Sequence, residues 1–160
     1  MMLNYKLTNS VTLHSEQNPG ITCVAIDAGF DDLLLTGGKD GSVALYNRAQ
    51  DKVIMDNLEV SLTLKQVLST FNKHTKAVTG VGFALGTAKG GKQVVGISAS
   101  EDGIGYGFTY QNETGQVTEF YKYDGHKGAL TGCAVHPISY LGIFASRDGS
   151  FSCHDLAEVI

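Results

Sequence analysis

The chain has no tryptophan, two prolines and three cysteines in 160 residues, and only 18% of it is charged. Each shortage excludes something. Cys23, Cys133 and Cys153 form an odd set without paired spacing, so neither a disulfide framework nor a zinc knuckle is indicated, and a reducing compartment is the natural reading. There is no basic run and the net charge is -4, which argues against direct nucleic-acid binding. No segment approaches the roughly 18 apolar residues of a membrane span, and the opening residues, broken by Asn4, Lys6, Asn9, Ser10 and His14, lack the apolar core of a secretory signal. A soluble, intracellular chain is expected, in which the sequon Asn112-Glu113-Thr114 stays unmodified. Glycine, by contrast, occurs 20 times and hydrophobic residues make up 42%. High glycine, few charges and many short strand-like runs point to an all-β fold in one ordinary domain.

What is present is a repeat. A charged residue followed by Asp-Gly occurs at Lys39-Asp40-Gly41, Glu101-Asp102-Gly103 and Arg147-Asp148-Gly149. Six residues after each Asp stand Tyr46, Phe108 and His154, and a histidine precedes each copy, at His14, His74 and His126. His74 and His126 are each followed five residues later by Thr79-Gly80 and Thr131-Gly132; in the first copy the threonine is Thr22, displaced by Asn18-Pro19-Gly20. Asp-Gly is a tight-turn signal, because Asp accepts bonds from nearby amides and Gly supplies positive φ. If each ring reaches the turn Asp of its own unit, it donates a charge-assisted bond that ties the unit's entry to its second hairpin. The alternative is three solvated histidines.

Alternation places strands at 21–26, 32–36 and 42–46, with 66–71 as the outer strand of the first unit. Residues 51–65 read as an insertion in which Leu58, Val60, Leu62 and Leu64 extend the outer strand, add a hairpin arm or form a short helix. The second unit reads 78–85, 93–98, 104–110 and 116–121. The third reads 130–136, 140–145 and 150–153, with Pro137 ending its first strand. Units of 14–72, 73–122 and 123–160 follow, the last truncated, with 156–160 left for a fourth strand and 1–13 as a leader or outer strand of a preceding unit.

Other patterns carry less. Gly86 to Lys92 meets the GxxxxGK half of a phosphate loop, but Gln93 replaces the magnesium-holding hydroxyl and a strand follows where a helix is needed. Gly103 to Phe108 shares only its glycine content with a dinucleotide fingerprint, and its glycines are expected to relieve crowding near a narrow inner end. No GxSxG elbow exists. Thr36, Ser98, Ser100 and Ser146 are expected to bond within their units. No catalytic residue, cofactor or metal site is assigned; His14, Asp40, His74, Asp102, His126 and Asp148 are structural markers.

Four strands per unit, a histidine before the first and Asp-Gly before the third, resemble the blade of a WD-repeat β-propeller. Gly125-His126 reproduces the Gly-His signature, while the Trp-Asp signature is replaced by Tyr46-Asn47, Phe108-Thr109 and His154-Asp155. Leu13-His14-Ser15, Leu35-Thr36-Gly37-Gly38-Lys39-Asp40, Lys73-His74-Thr75-Lys76-Ala77-Val78-Thr79 and Ala129-Leu130-Thr131-Gly132 are further similar, in order, to the first three blades of the propeller in the pre-mRNA-processing factor 19 family. That resemblance spans residues 10–156. It implies a nuclear, spliceosome-associated U-box ubiquitin ligase whose propeller recruits substrates or complex components. Neither a U-box nor a heptad segment precedes the repeats, so ligase chemistry is not expected here. A second reading is a structural assembly unit, in which copies close a ring or self-associate through open blade edges.

Overall fold

A computed structural model of the chain describes residues 14–26, 33–47, 52–55, 73–88, 91–111 and 116–157. Its strands are β1 (Ile21–Ile26), β2 (Leu33–Gly38), β3 (Val43–Asn47), β4 (Lys52–Met55), β5 (Val78–Ala88), β6 (Gly91–Ser100), β7 (Gly105–Gln111), β8 (Gln116–Tyr123), β9 (Leu130–Val135), β10 (Leu141–Ser146) and β11 (Phe151–Asp155). They form three antiparallel sheets of order β1-β2-β3-β4, β5-β6-β7-β8 and β9-β10-β11. In each, strands adjacent in sequence are adjacent in space, because every connection after the first strand is a short hairpin.

Period-two patterning decides how the sheets stack. Leu35 pairs with Ala25 and Leu45, so Leu33, Leu35, Val43 and Leu45 share a face, and it packs against Val78, Val81, Val94, Tyr106, Phe108 and Tyr110 on the second sheet. The opposite face of that sheet presents Val95, Ile97 and Ala99 to Leu130, Phe144 and Leu156. Burying a side chain such as Phe108 or Ile97, both wholly covered, contributes about 1.5–3 kcal/mol each. Face-to-face stacking in chain order is the arrangement of successive propeller blades, so the fold is an all-β, incomplete propeller of three sheets.

The Asp-Gly signal resolves into a three-residue connection. Gly41, Gly103 and Gly149 have φ of 81°, 84° and 86°, and their amides donate to Gly38, Ser100 and Ser146 carbonyls at 3.2, 3.1 and 3.3 Å. A type I turn closed by a left-handed residue requires glycine at that point.

Three details differ from the sequence expectation. The place beside β3 is taken by Lys52–Met55, within the segment read as an insertion; the expected outer strand 66–71, the apolar alternation at 58–64 and the leader 1–13 lie outside the described residues. The third sheet has three strands among the described residues. Instead of starting a fourth strand, Leu156 turns inward, its amide bonded to the Tyr140 carbonyl at 3.0 Å and its side chain fully buried. Gly105 and Gly107 lie on the third strand of their sheet rather than at an inner edge. A Cβ on Gly105 would stand 2.6 Å from the Phe144 ring, so this glycine makes room for an aromatic side chain of the next sheet. In agreement with the sequence reading, the Gly86 to Gln93 segment belongs to the β5–β6 hairpin, with Gly86 opposite Gln93, and a strand follows where a phosphate cradle would need a helix. No helix among the described residues is long and apolar enough to cross a membrane.

Candidate functional site

The six marker residues meet in three copies of one local network, built where the segment entering each sheet passes the β-turn between its second and third strands. One carboxylate oxygen of each Asp accepts the amide two residues on: Ser42 N to Asp40, Ile104 N to Asp102 and Ser150 N to Asp148, each at 2.9 Å. This caps the turn from within. The other oxygen accepts the amide following the histidine, from Ser15, Thr75 and Lys127 at 2.8, 2.9 and 2.9 Å. The imidazole Nδ1 lies 3.4 Å from the carboxylate in the first unit, 3.3 Å in the second and 3.0 Å in the third. Each Asp therefore holds its own turn and the incoming strand together.

With Nδ1 facing a carboxylate, that nitrogen carries the proton and Nε2 accepts from a hydroxyl. The hydroxyls are Thr36 at 3.0 Å, Ser98 at 2.8 Å and Ser152 at 3.0 Å. Thr36 and Ser98 both stand four residues before the turn Asp. The third unit has Phe144 there, a core residue, and its hydroxyl donor comes instead from the next strand, at Ser152. Two units add a relay: Ser42 lies 2.6 Å from both His14 Nδ1 and Asp40, and Ser150 repeats this between His126 and Asp148. Ile104 occupies that position in the second unit, so His74 and Asp102 interact directly.

The third unit extends its network further. Ser152 is also bonded to His154 Nε2 at 2.8 Å, and His154 Nδ1 receives the Tyr121 hydroxyl at 2.6 Å. Protons then order in one direction, from Tyr121 through His154, Ser152 and His126 to Asp148. The His154 ring is packed by Tyr123 at 4.4 Å and Phe144 at 5.5 Å between centroids.

These surroundings shift the titrations. Burial opposes ionisation of Asp102, yet the bonds from His74, Thr75 N and Ile104 N outweigh it and hold the carboxyl at about 2. Asp40 is lowered in the same way, against its burial and by Ser42, Ser15 N and His14. Asp148 is lowered chiefly by the Ser150 hydroxyl. Burial lowers His14, and burial together with the neighbouring His126 lowers His154.

Ser98–His74–Asp102 has the connectivity of a hydrolytic triad. Ser98 is fully buried and His74 nearly so, so no substrate reaches the hydroxyl; Thr36 in the first unit is equally covered. In the third unit Ser152 is half-buried, but its oxygen is shared between two imidazoles. Among the described residues no cluster of three or more His, Cys, Asp or Glu is placed to hold a metal ion. Ser100 donates to the Lys76 carbonyl and Ser146 to Gly128, both within their units.

One feature escaped the sequence reading. His136 Nδ1 accepts the amides of Ile138 at 3.3 Å and Ser139 at 3.1 Å, and Tyr140 adopts φ 53°, the left-handed region that a bulky residue rarely enters. The loop joining β9 to β10 is thereby held in one shape, and it presents Ile138 at 82% exposure. Pro137 beside a His was its only local signal.

Residues 6–47 match the WD40 family, described as WD domain, G-beta repeat; the match ends at Tyr46-Asn47, where the Trp-Asp signature was sought. No curated protein sequence matches the chain. Among solved structures, "Structure of U3-55K" superposes with a TM-score of 0.61 at 17% identity, covering 92% of this chain and 39% of that one. "Crystal structure of RRP9 WD40 repeats" gives 0.60 at 18% identity, covering 92% and 38%. With 499 solved chains matching in shape, the likeness identifies an architecture. The chain spans about two fifths of the length of these two structures.

Proposed function

We propose that these three sheets of a WD-repeat propeller form a non-enzymatic protein-recruiting module, working as the scaffold of a pre-mRNA splicing-associated ubiquitin ligase in the nucleus. The observation that carries the recruiting role is a division of labour among the polar groups. The Ser, His and Asp side chains that could do chemistry are committed to bracing, while the pinned 136–140 loop offers an exposed isoleucine on a rigid support. In this reading the units run 14–72, 73–122 and 123–160, and the six His and Asp residues are blade locks. The splicing and ligase assignment is supported by the ordered resemblance of residues 10–156 to the first three blades of that family's propeller. Protein partners are accordingly splicing-complex components or ubiquitination substrates.

The test is recovery of splicing-complex components from nuclear extract on the immobilised chain, identified by mass spectrometry, against an Ile138→Asp variant. Recovery that falls at least tenfold in the variant is expected. Equal recovery by the full-length parent protein and by a parent deleted for these repeats would overturn the assignment.

A further inference from the structure

We propose that the joint between the second and third sheets carries an acid-released fastening, in which one proton added to the linked imidazoles of His126 and His154 is expelled at the Tyr121 hydroxyl and loosens the joint. The network responsible lies between two described sheets, so it does not depend on what stands against their other faces.

The two joints inside the chain are fastened differently. Both are tied on the inner strands by a threonine: Thr22 donates to the Val78 carbonyl of the second sheet, and Thr79 to the Leu130 carbonyl of the third at 2.8 Å. Neither bond titrates. On the third strand of each following sheet the joints part. Phe108, six residues after Asp102, fills that place in the first joint with a wholly covered apolar ring. His154, six residues after Asp148, puts a titratable ring there in the second joint, and its Nδ1 receives the Tyr121 hydroxyl of the second sheet at 2.6 Å.

Acid overfills a line of bonds that is already complete. Its four links, Tyr121–His154, His154–Ser152, Ser152–His126 and His126–Asp148, measure 2.6, 2.8, 3.0 and 3.0 Å. The phenol, the serine and each neutral imidazole supply one proton apiece, so every link holds one. A fifth proton is one too many. Whichever imidazole takes it, the protons shift along the line and the surplus leaves at an end, so the two rings titrate as a unit. The Asp148 end is closed, because the Ser150 hydroxyl and the amides of Lys127 and Ser150 hold its carboxyl well below the usual range. At the other end the phenol turns from donor to acceptor. Its own proton, on a half-buried ring, must then reach water, which has to enter the outer part of the joint.

The other groups around the rings leave this balance in place. Tyr123 packs on both, with centroids 4.4 Å from His154 and 5.4 Å from His126, and β10 contributes Phe144. Lys122 lies opposite Tyr106 on the other face of β8 and pairs with Asp124 at 3.3 Å. Asp155 caps the Ala157 amide at 2.9 Å, and Lys127 and Arg147 are exposed beside the turn. Burial and the neighbouring His126 both oppose the charge on His154, which puts the release below the ordinary histidine value of about 6.5.

The first test needs no substitution. At about pH 7.5 the Tyr121 hydroxyl proton, held by a nitrogen at 2.6 Å, is expected as a separate downfield NMR signal; between about pH 6.5 and about pH 5 it should vanish in step with uptake of a single proton by the His126–His154 pair. Two thiols read the joints themselves. Cys133 Sγ stands 3.9 Å from the Ile97 carbonyl across the second joint, and Cys23 Sγ 3.9 Å from the Val78 carbonyl across the first. With a dithiodipyridine reagent, which reacts in acid, and mass spectrometry to locate the label, the Cys133-to-Cys23 rate ratio should rise about two- to tenfold over that range, the worth of one hydrogen bond. Tyr121→Phe should hold the ratio high already at neutral pH, and Ser152→Ala, which cuts the line between the rings, should let them take up protons separately. A Tyr121 signal that is absent at neutral pH or persists once the imidazoles are charged, a ratio that stays constant through the transition, or a Tyr121→Phe variant with wild-type pH dependence would overturn the proposal.

Discussion

Replacing Asp102 with alanine removes one carboxylate and strands three donors at once. Two of them matter most: His74 Nδ1, on a ring that is almost wholly covered, and Ile104 N at 2.9 Å in a half-buried turn. Thr75 is exposed and regains water. Bonds to a charged acceptor contribute about 1.5–3 kcal/mol each, and a buried partner left alone forfeits its desolvation as well, so a loss of about 3–5 kcal/mol is expected. For a domain of this size that lowers Tm by roughly 6–20 °C. Asp148→Ala removes the equivalent three bonds in the third unit and one more, from the Ser150 hydroxyl, but there the carboxylate side chain is 18% exposed against 5% for Asp102, so water replaces the lost acceptor and Tm should fall by less than half as much. Thermal melting followed by far-UV circular dichroism, with denaturant titration alongside, reads both. Equal losses at the two positions, or an Asp102→Ala variant within about 1 kcal/mol of wild type, would refute the view that burial of the brace sets its strength.

Acid should act on the same group: the folded carboxyl of Asp102 lies at about 2 and the unfolded one at about 3.9, so stability held above that unfolded value is lost as pH falls toward 2, and Asp102→Asn should flatten this part of the curve. His14 and His154 are lowered from their ordinary value, so the unfolded chain binds more protons just below pH 6.5 and stability should fall there; His154→Phe should reduce that slope while lowering Tm through loss of the Ser152 and Tyr121 bonds. Phe144→Ala empties a fully buried aromatic site between the second and third sheets and should cost about 3–5 kcal/mol by denaturant unfolding. Thiol labelling of the dilute chain should modify Cys153 first, because burial raises Cys133 and Cys23.

Local chemistry was the legible part. Asp-Gly writes its turn through the Asp side chain and the positive φ of glycine, within four residues, and alternating apolar residues write strand faces, so nearly every described strand could be placed by eye. The histidine offsets likewise placed each ring beside its Asp. The hydroxyl partners were less legible: Thr36 and Ser98 share an offset, but Phe144 breaks it, and nothing local says that Ser152 on the neighbouring strand substitutes. The strand beside β3 was not legible, because Lys52–Met55 pairs with it through the backbone, which any sequence offers; the better-alternating 66–71 lies outside the described residues.

Without tryptophan, with few charges and abundant glycine, the sequence by itself determined a three-fold meander of short strands and the His–Asp pairs that brace it, since those features depend on contacts within one unit. Only the tertiary structure decided which faces are covered. Val78 and Leu130 are buried while Ile21 is open, and Thr79 reaches a second carbonyl while Thr131, among the described residues, has a single one. Residues of the same type at the same offset differ there because burial is a property of the neighbouring sheet and not of the residue.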